Sequence, residues 1–481
     1  MLRGRGTFAL GRFGGPTASV LCIALALAGC GGGSGSNAVT QPMAPATSPP
    51  APASSPQAAS GSTPPVTVPP SFTVGGTVSG LAAGTQLILN DNGSDSLTVS
   101  TDGLFTFAQP VPLDSGLGVT VAAQPLRQLC TVTNGSSTHV TASVTGISVT
   151  CASRPELAYV LNQSSNTISQ FTIGSNGALT PMNPATVPAG GLPLSIAVDP
   201  SGRFAYVANV SNTVSQYTVG AGGALTPMTP ASVTAGNAPE SVGVDASGRF
   251  VYVANGDNTT SQYVIGPNGA LTAMTPATVS SGSDSESLAV DPAGPHVYVA
   301  NTGDGTVSQY VIDSSGALAA LNPATVNAGV RPLSLAVDPL GRFAYVVGEN
   351  TFAVSQFSIG INGALTALSP PTAVTGGTPE SVVVDPSGRF AYVTNGSGNS
   401  VSQYTIGTDG ALTPMNPATV PTPTVTGPVA LAIDPSGRFA YVADGADNNV
   451  AEYTIGSNGA LTAMSPATVT TASPFALTTS R

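Results

Sequence analysis

Short runs of apolar and β-branched residues, separated by Gly, Asn, Asp and Pro, fill the C-terminal two-thirds of the chain. One stretch contains four of them in succession, at residues 195–198, 204–207, 214–219 and 224–226. Runs of this length bounded by turn residues are typical of β-strands. The pattern therefore predicts a unit of four strands, called a to d below.

The second run contains a Tyr-Val pair that returns at steps of 47, 46, 46, 47, 47 and 49 residues. The seven tyrosines of the pair are Tyr159, Tyr206, Tyr252, Tyr298, Tyr345, Tyr392 and Tyr441. A repeat of this length with several short apolar runs is typical of a propeller or an array, and four strands make one propeller blade. The sequence therefore predicts seven four-stranded blades.

The two ends of the repeat region complement each other. The first unit begins at residues 156–159, which already match strand b, and the last ends with residues 474–478, which match strand a. A C-terminal strand that completes the first blade closes a ring and removes the open edges of a linear array. We therefore expect an all-β, seven-bladed β-propeller over residues 153–481.

Strands a and b are joined by Asp199-Pro200-Ser201-Gly202, which has the residues that a type I turn favours. An arginine follows this turn, opposite the aspartate, in five units: Arg203, Arg249, Arg342, Arg389 and Arg438. We interpret these arginines as part of the hairpin, in exposed ion pairs that need no ligand, rather than as a binding array.

All twelve tyrosines lie in the repeats, seven in strand b and five in strand c. The strand c tyrosines are Tyr217, Tyr263, Tyr310, Tyr404 and Tyr453, and phenylalanines take the two other positions, at Phe171 and Phe357. Their regularity favours packing between blades over stacking with an aromatic ligand.

Residues 1–29 have the layout of a signal peptide. Arg3, Arg5 and Arg12 precede an apolar run over residues 18–28. This run is too short to span a membrane as a helix, and a charged start followed by such a run is typical of a secretory signal. We therefore expect an exported protein.

Residues 27–30, Leu-Ala-Gly-Cys, resemble the lipobox of bacterial lipoproteins. The resemblance implies cleavage before Cys30, acylation of its sulfur and of the new amino terminus, and stable anchoring by several acyl chains. The alternative is an ordinary secretory cleavage site that happens to precede a cysteine. Gly31 resembles the outer-membrane sorting pattern, so we expect a cell-envelope protein on the outer membrane, facing the periplasm or the surface.

After the lipidated cysteine, residues 30–70 consist mostly of Gly, Ser, Ala, Pro and Thr and contain no charged residue. Such a segment cannot bury enough apolar surface to fold, and its Pro pairs favour extended conformations. We expect a disordered linker that holds the folded part away from the lipid surface.

Residues 71–152 contain short β-rich runs between Gly, Asn and Asp turns, which predict a small β-sandwich. With Cys22 removed in the signal and Cys30 acylated, Cys130 and Cys151 are the remaining thiols of an exported protein, and we expect a disulfide between them. Closing a loop of about 20 residues contributes roughly 3 kcal/mol by the chain-entropy estimate. We expect this domain to act as a spacer or docking module.

The charge balance limits the partners. The chain has no Lys, 12 Arg and 23 acidic residues, for a formal net charge of -11. Without the three arginines of the signal, nine arginines remain against 23 acidic residues, a net charge of -14. Such a chain lacks the basic surface that neutralises phosphates, so we exclude nucleic acid as a partner.

The recurring Gly-Arg-Phe-Ala-Tyr-Val-Ala-Asn at residues 202–209, with Tyr-Val-Thr-Asn at residues 392–395, resembles the YVTN-repeat and lactonase-type seven-bladed propellers over residues 155–481. Lactonase-type members are similar to 6-phosphogluconolactonase, so the resemblance implies lactone hydrolysis. They tend to carry Pro-His ahead of the Asp-Pro turn and further His, Glu and Arg in the central cleft. Here the corresponding positions are Leu194, Glu240, Glu286, Leu333, Glu380, Val429 and Phe475.

Few residues suit acid–base or metal chemistry. The two histidines are His139, in the small N-terminal domain, and His296, which replaces the phenylalanine that starts strand b and which we assign to packing. This excludes Ser-His-Asp catalysis and His-based metal sites. Segments 91–95 and 444–448 are rich in Asp and Asn but lack the spacing of an EF-hand, so we interpret them as tight turns. We expect no metal and no cofactor.

One group of charged residues remains. Glu240, Glu286 and Glu380 open the innermost strands of three units, on the face opposite the Asp-Pro turns, and Arg331 precedes the same strand in another unit. At the mouth of a propeller channel these residues could bind a polar ligand, or the glutamates could act as acid and base. The alternative is that they only keep a wet channel mouth solvated.

Together these features favour a lipid-anchored, monomeric envelope protein whose propeller is a non-catalytic binding or interaction module for a cell-envelope protein or a polar small molecule. The alternative is a hydrolase that opens a lactone ring among Glu240, Glu286, Glu380 and Arg331. An acid, a base and a cation within reach of one small molecule would favour the hydrolase. A purely structural protein would have no concave charged site.

Overall fold

The computed structural model describes residues 70–93, 95–125, 128–349, 351–422 and 427–480. The predicted signal peptide, Cys30 and the linker up to residue 69 lie outside the described residues. All regular elements of the described part are β-strands, which confirms the all-β prediction. Within that part, no helix is long and apolar enough to cross a membrane.

The N-terminal part of the described chain contains ten strands: β1 (Ser71–Phe72), β2 (Val74–Ser79), β3 (Leu87–Asp91), β4 (Asp95–Val99), β5 (Gly103–Thr106), β6 (Val111–Pro112), β7 (Leu117–Ala123), β8 (Gln128–Thr133), β9 (Ser136–Ser137) and β10 (Val144–Ser153). They form the sheets β5-β2-β10-β8 and β4-β3-β7-β9 and the pair β1-β6. The two larger sheets share one apolar core, which includes Val74, Leu87, Leu89 and Val149.

Cys130 and Cys151 form the predicted disulfide. They lie directly opposite each other on the antiparallel strands β8 and β10, with their Cα atoms 3.9 Å apart. The bridge therefore ties together two strands that already pair through the backbone.

Seven four-stranded sheets follow. Blade 1 comprises β11 (Glu156–Asn162), β12 (Thr167–Ile173), β13 (Leu179–Pro188) and the C-terminal strand β38 (Pro474–Ser480). Strands a to d of the other blades are, for blade 2, β14 (Pro193–Val198), β15 (Phe204–Asn209), β16 (Thr213–Val219) and β17 (Leu225–Thr234); for blade 3, β18 (Pro239–Val244), β19 (Phe250–Asn255), β20 (Thr259–Ile265) and β21 (Leu271–Ser280); for blade 4, β22 (Ser285–Val290), β23 (His296–Asn301), β24 (Thr306–Ile312) and β25 (Leu318–Asn327); for blade 5, β26 (Pro332–Val337), β27 (Phe343–Gly348), β28 (Ala353–Ile359) and β29 (Leu365–Val374); for blade 6, β30 (Pro379–Val384), β31 (Phe390–Asn395), β32 (Ser400–Ile406) and β33 (Leu412–Pro421); and for blade 7, β34 (Pro428–Ile433), β35 (Phe439–Asp444), β36 (Asn449–Ile455) and β37 (Leu461–Thr470).

The ring closes as the sequence predicts. β38 lies antiparallel to β11, with Thr478 opposite Tyr159. Each strand a also contacts strand a of the next blade, and β38 lies between β34 and β14. The seven innermost strands therefore surround one central channel.

The tyrosines hold neighbouring blades together, which confirms their predicted packing role. Tyr206 of strand b is fully buried, and its hydroxyl donates to the carbonyl of Gly269 in the next blade at 2.7 Å. Tyr217 of strand c donates to the carbonyl of Pro188 in the preceding blade at 2.8 Å. The strand b bond recurs at all seven blade junctions. Apolar cores accordingly form between blades.

A glutamine in strand c supports both its own blade and the next. Gln216 Nε2 donates to the Pro230 carbonyl of strand d at 3.1 Å, and Gln216 Oε1 accepts the amide of Leu271 in the following blade at 2.6 Å. Strand d bulges outward at this point and then resumes pairing with strand c. For this reason strand d runs to Thr234, whereas residues 224–226 alone were expected.

The a–b hairpins differ in one respect from the prediction. Asp199 Oδ1 accepts the amides of Arg203 and Phe204 at 2.7 and 2.6 Å, while the Arg203 guanidinium lies 4.8 Å from the centre of the Phe204 ring. Only Arg342, among the five hairpin arginines, also pairs with its aspartate, Asp338, at 3.0 Å. The expected ion pairs are therefore largely replaced by stacking, because a serine hydroxyl of the turn, such as that of Ser201, already occupies the other carboxylate oxygen. Blade 5 has Leu340 at this position, which leaves Asp338 Oδ2 to Arg342.

Candidate functional site

The second residue of each strand a lies in a β-bulge at one end of the channel. In blade 3, Pro239 pairs with Asn255 and Ser241 pairs with Ala254, so Glu240 is an extra residue. A bulge redirects a side chain away from the regular alternation of the strand. The seven bulge residues are Leu194, Glu240, Glu286, Leu333, Glu380, Val429 and Phe475. We call these seven residues the mouth ring.

Glycines directly after strand b leave room for two of the carboxylates. A Cβ atom added to Gly396 would lie 2.9 Å from Glu380 Oε1 and 3.0 Å from its Cγ. In blade 3, the corresponding Gly256 lies close to Glu240, whose Oε1 would be 3.9 Å from an added Cβ. The glutamates of these two blades are therefore accommodated within their own blades.

Arg331 lies in the loop before β26 and has the left-handed backbone angle φ of 47°. Its Nε lies 2.7 Å from Oε2 of Glu349, in a pair whose side chains are 50% and 35% exposed. The Glu349 amide also donates to the Arg331 carbonyl at 3.0 Å. An exposed pair of this kind contributes about 1 kcal/mol or less, so the guanidinium remains able to bind a ligand.

The loop that carries Arg331 is held differently from its neighbours. In blade 2, the b–c turn residue Asn212 accepts the Ala238 amide of the next loop through Oδ1 at 3.0 Å. The residue that corresponds to Asn212 before the Arg331 loop is Gly305, which has no side chain for this bond. The ion pair with Glu349 takes its place as a tie between loop and strand.

The structure places the predicted charged residues in consecutive blades. Glu240, Glu286 and Arg331 belong to blades 3, 4 and 5, and Glu380 belongs to blade 6. They share one half of the mouth, but a role in binding or catalysis stays a prediction. Sequence reasoning missed Glu349, although its position directly after strand b in the unit of Arg331 was a possible signal.

Neither histidine lies at the mouth ring. His296 is buried at the opposite end of strand b, with Nδ1 at 3.1 Å from Oδ2 of Asp291. Burial alone would raise the pKa of Asp291, but hydrogen bonds from His296 and from the Ala293 amide lower it below its usual value. His139 lies on the surface of the N-terminal part. The packing role predicted for His296 agrees with this environment.

The Asp/Asn-rich segment of blade 7 forms a b–c turn, as expected. Asp444 ends strand b there, and burial raises its pKa to about 6 despite a hydrogen bond from the Ala446 amide. Across the described ranges, no three His, Cys, Asp or Glu residues converge in an arrangement that could hold a metal ion.

A concave region lies between the N-terminal sheets and the propeller, on the face of the Asp-Pro turns. This cavity of about 590 Å³ is lined by residues that include Gln124, Arg154, Arg203 and Pro267. Arg154 donates to the Ser201 carbonyl at 2.8 Å, and burial lowers the pKa of its guanidinium. The cavity is well separated from the mouth ring, which opens on the other face of the propeller.

Residues 149–477 match the family described as lactonase, 7-bladed beta-propeller. The chain therefore belongs to this family, and its propeller is a seven-bladed one of the lactonase type. Among curated proteins, none is significantly similar in sequence.

Two solved structures show the same fold. The periplasmic gluconolactonase of Pseudomonas aeruginosa is 21% identical, with a TM-score of 0.57, over 68% of this chain and 99% of that one. A candidate 6-phosphogluconolactonase from Bacteroides fragilis is 18% identical, also with a TM-score of 0.57, over 68% of this chain and 98% of that one. At these identities the similarity is one of fold.

Proposed function

We propose that the protein hydrolyses a lactone at the mouth ring. Membership of the lactonase family supports this reading over a non-catalytic module. The observation that carries it is the placement of Glu240, Glu286 and Arg331 in three consecutive blades. Two carboxylates and one guanidinium supply the acid, base and cation that ester hydrolysis uses.

The reaction needs only water as co-reactant. One glutamate, ionised, takes a proton from water while the water oxygen bonds to the acyl carbon. The second, protonated, gives its proton to the ring oxygen as the acyl–oxygen bond breaks, which leaves a hydroxy acid. In this proposal Arg331 stabilises the oxyanion that forms in between, and Glu349 orients Arg331 through their 2.7 Å contact.

Hydrolysis of sugar and aliphatic lactones by the purified chain tests this proposal. We expect the Glu240→Gln/Glu286→Gln variant to lose about 10²- to 10⁴-fold in kcat/KM, since general acid–base groups typically contribute that much. Asp409→Asn, an acid in a c–d turn on the opposite face, is the matched control and should keep full activity. Equal turnover by the double variant and the native protein would rule out the carboxylates as catalysts.

A second candidate function is ligand binding without turnover. The pairing of Arg331 with Glu349 and the location of both histidines away from the mouth favour it. It predicts saturable binding of a polar ligand that is weakened in the double variant, together with no hydrolysis above the buffer rate.

We also propose that the protein is attached to the cell envelope through Cys30. The lipobox-like residues 27–30 after an apolar run support this. Cys30→Ser should abolish incorporation of labelled palmitate and release the protein from the membrane fraction, whereas Cys22→Ser, within the signal, should leave both unchanged. Labelling that persists in the Cys30 variant would contradict the proposal.

A further inference from the structure

Opposite the charged half of the mouth, which blades 3 to 6 form, the mouth ring has apolar residues in three adjacent blades; its remaining apolar residue, Leu333 of blade 5, is buried. Blades 7, 1 and 2 place Val429, Phe475 and Leu194 in the same bulge that holds a glutamate in blades 3, 4 and 6. Their strands β34, β38 and β14 are direct neighbours, so the three residues occupy equivalent positions side by side along an arc of the mouth. All three are only partly buried, which leaves apolar surface open at the mouth.

The loop before β14 extends this arc. Leu192 is 48% exposed and has a left-handed φ of 54°. The Asn166 side chain fixes it by accepting the Leu192 amide at 2.7 Å. Ala238, Asp284, Arg331 and Ser473 have the same backbone conformation in the equivalent loops, so it belongs to the repeat, and Leu192 adds exposed apolar surface two residues before Leu194.

The charged half is unfavourable for anions. It contains three glutamates, and its single arginine is paired with Glu349. The protein as a whole carries a formal net charge of -11. A phosphate or carboxylate group on a ligand would therefore meet several carboxylates and only one arginine, which Glu349 already contacts.

The two halves meet between blades 2 and 3, where strands β14 and β18 are in contact. Leu194 and Glu240 occupy equivalent positions on these adjacent strands. A molecule with its polar ring at Glu240 and Glu286 can therefore extend an apolar substituent directly across Leu194 toward Phe475.

We propose that the substrates are uncharged lactones that carry an alkyl chain, with the ring on the charged half and the chain on the arc of Leu194, Phe475 and Val429. The identity of the substrate as a lactone rests on the proposed function. The arc that would bind the alkyl chain is inferred from the positions of the bulge residues alone. Each methylene that is fully buried on the arc should tighten binding about fourfold.

Titration calorimetry with δ-lactams, which resemble lactones but resist hydrolysis, tests the arc separately from catalysis. The probes are δ-valerolactam and its ring-substituted propyl and heptyl derivatives, added to the full chain. We expect Kd to fall at least tenfold from the unsubstituted to the propyl lactam and again to the heptyl lactam.

The informative variant is Leu194→Glu/Val210→Gly, which copies Glu240 and Gly256 of blade 3 into blade 2. The fold accepts this combination in the neighbouring blade, so the variant should fold. We expect it to bind the unsubstituted lactam normally and the heptyl lactam at least tenfold more weakly. Leu340→Glu, at a leucine that is 60% exposed on the opposite face, is the matched control and should bind all three as the native protein does.

The outcomes separate the two proposals. Affinity that does not change with chain length, or that falls equally in the Leu340→Glu control, overturns the inference. Affinity that rises with chain length, while no lactone of the same series is hydrolysed, supports the arc and overturns the proposed catalysis. A preference for phosphorylated or carboxylated lactones would also overturn the inference.

Discussion

Single residues show where the closing blade departs from the repeat. At the position where other blades bury Gln216 or Gln403, blade 7 has Glu452, whose Oε1 accepts the Leu179 amide at 2.7 Å across the ring-closing junction. Burial raises the pKa of this carboxyl above its usual 4.5, and the bond from Leu179 offsets part of the shift. The same blade also buries Asp444, where most blades have asparagine. The ring-closing junction therefore has a buried carboxyl where the six other blade junctions have a glutamine.

The acid at this junction should make stability fall with rising pH. As the pH passes 4.5, the unfolded chain releases the Glu452 proton while the folded chain retains it, so unfolding becomes more favourable until the folded carboxyl also ionises. We expect Glu452→Gln to remove this dependence and to add about 1 kcal/mol at pH 7, because Gln can make the second bond that Gln403 makes to the Pro417 carbonyl.

Urea unfolding at pH 4.5 and pH 7 measures this effect. Gln403→Glu is the matched control, since it places the same acid in blade 6 and should destabilise the protein at pH 7 more than at pH 4.5. A Glu452→Gln variant with the native pH dependence would show that another group, such as Asp444, is responsible.

At the scale of elements, β38 has a role that no other strand can fill. It pairs with β11 and sits between the innermost strands of blades 7 and 2. It also positions Phe475 in the mouth ring. Its removal would expose the edge of β11 and open the ring.

A chain that ends before Pro474 should therefore lose its cooperative thermal transition and aggregate on heating. A synthetic peptide of residues 471–481 should restore the transition when it is added during refolding, and a scrambled peptide of the same composition should not. Circular dichroism melts measure both. A truncated chain with native melting would show that the stability of the seven blades does not depend on the pairing of β38 with β11.

How far the sequence predicts these elements depends on whether they repeat. The a–b hairpins, the tyrosine positions and the C-terminal strand recur at fixed spacing, so the blade count and ring closure could be predicted. The length of strand d could not, because its pairing resumes beyond a bulge whose Pro230 carbonyl is bonded by the Gln216 side chain, 14 positions away. The stacking of Arg203 on Phe204 could not be predicted either. The same sequence, with Asp199 before Arg203 and Phe204, is compatible both with an ion pair and with stacking.

At the scale of the whole molecule, the order of the blades around the ring determines which charged residues are neighbours at the mouth. The sequence identified Glu240, Glu286, Glu380 and Arg331 but treated the apolar residues at the same position only as missing histidines. The bulges show that all seven are equivalent. The glutamates lie in blades 3, 4 and 6, on either side of the buried Leu333 of blade 5, whereas the partly buried Val429, Phe475 and Leu194 lie in the adjacent blades 7, 1 and 2. This division supports a mouth that binds amphipathic molecules.

A crystal structure of the full chain with the heptyl-substituted δ-lactam tests ligand binding at the mouth ring most directly. We expect the lactam ring between Glu240 and Glu286, within hydrogen-bond distance of a carboxylate, and the alkyl chain against Leu194 and Phe475. A lactam bound instead in the cavity beside Arg154, with the mouth ring empty, would contradict this expectation.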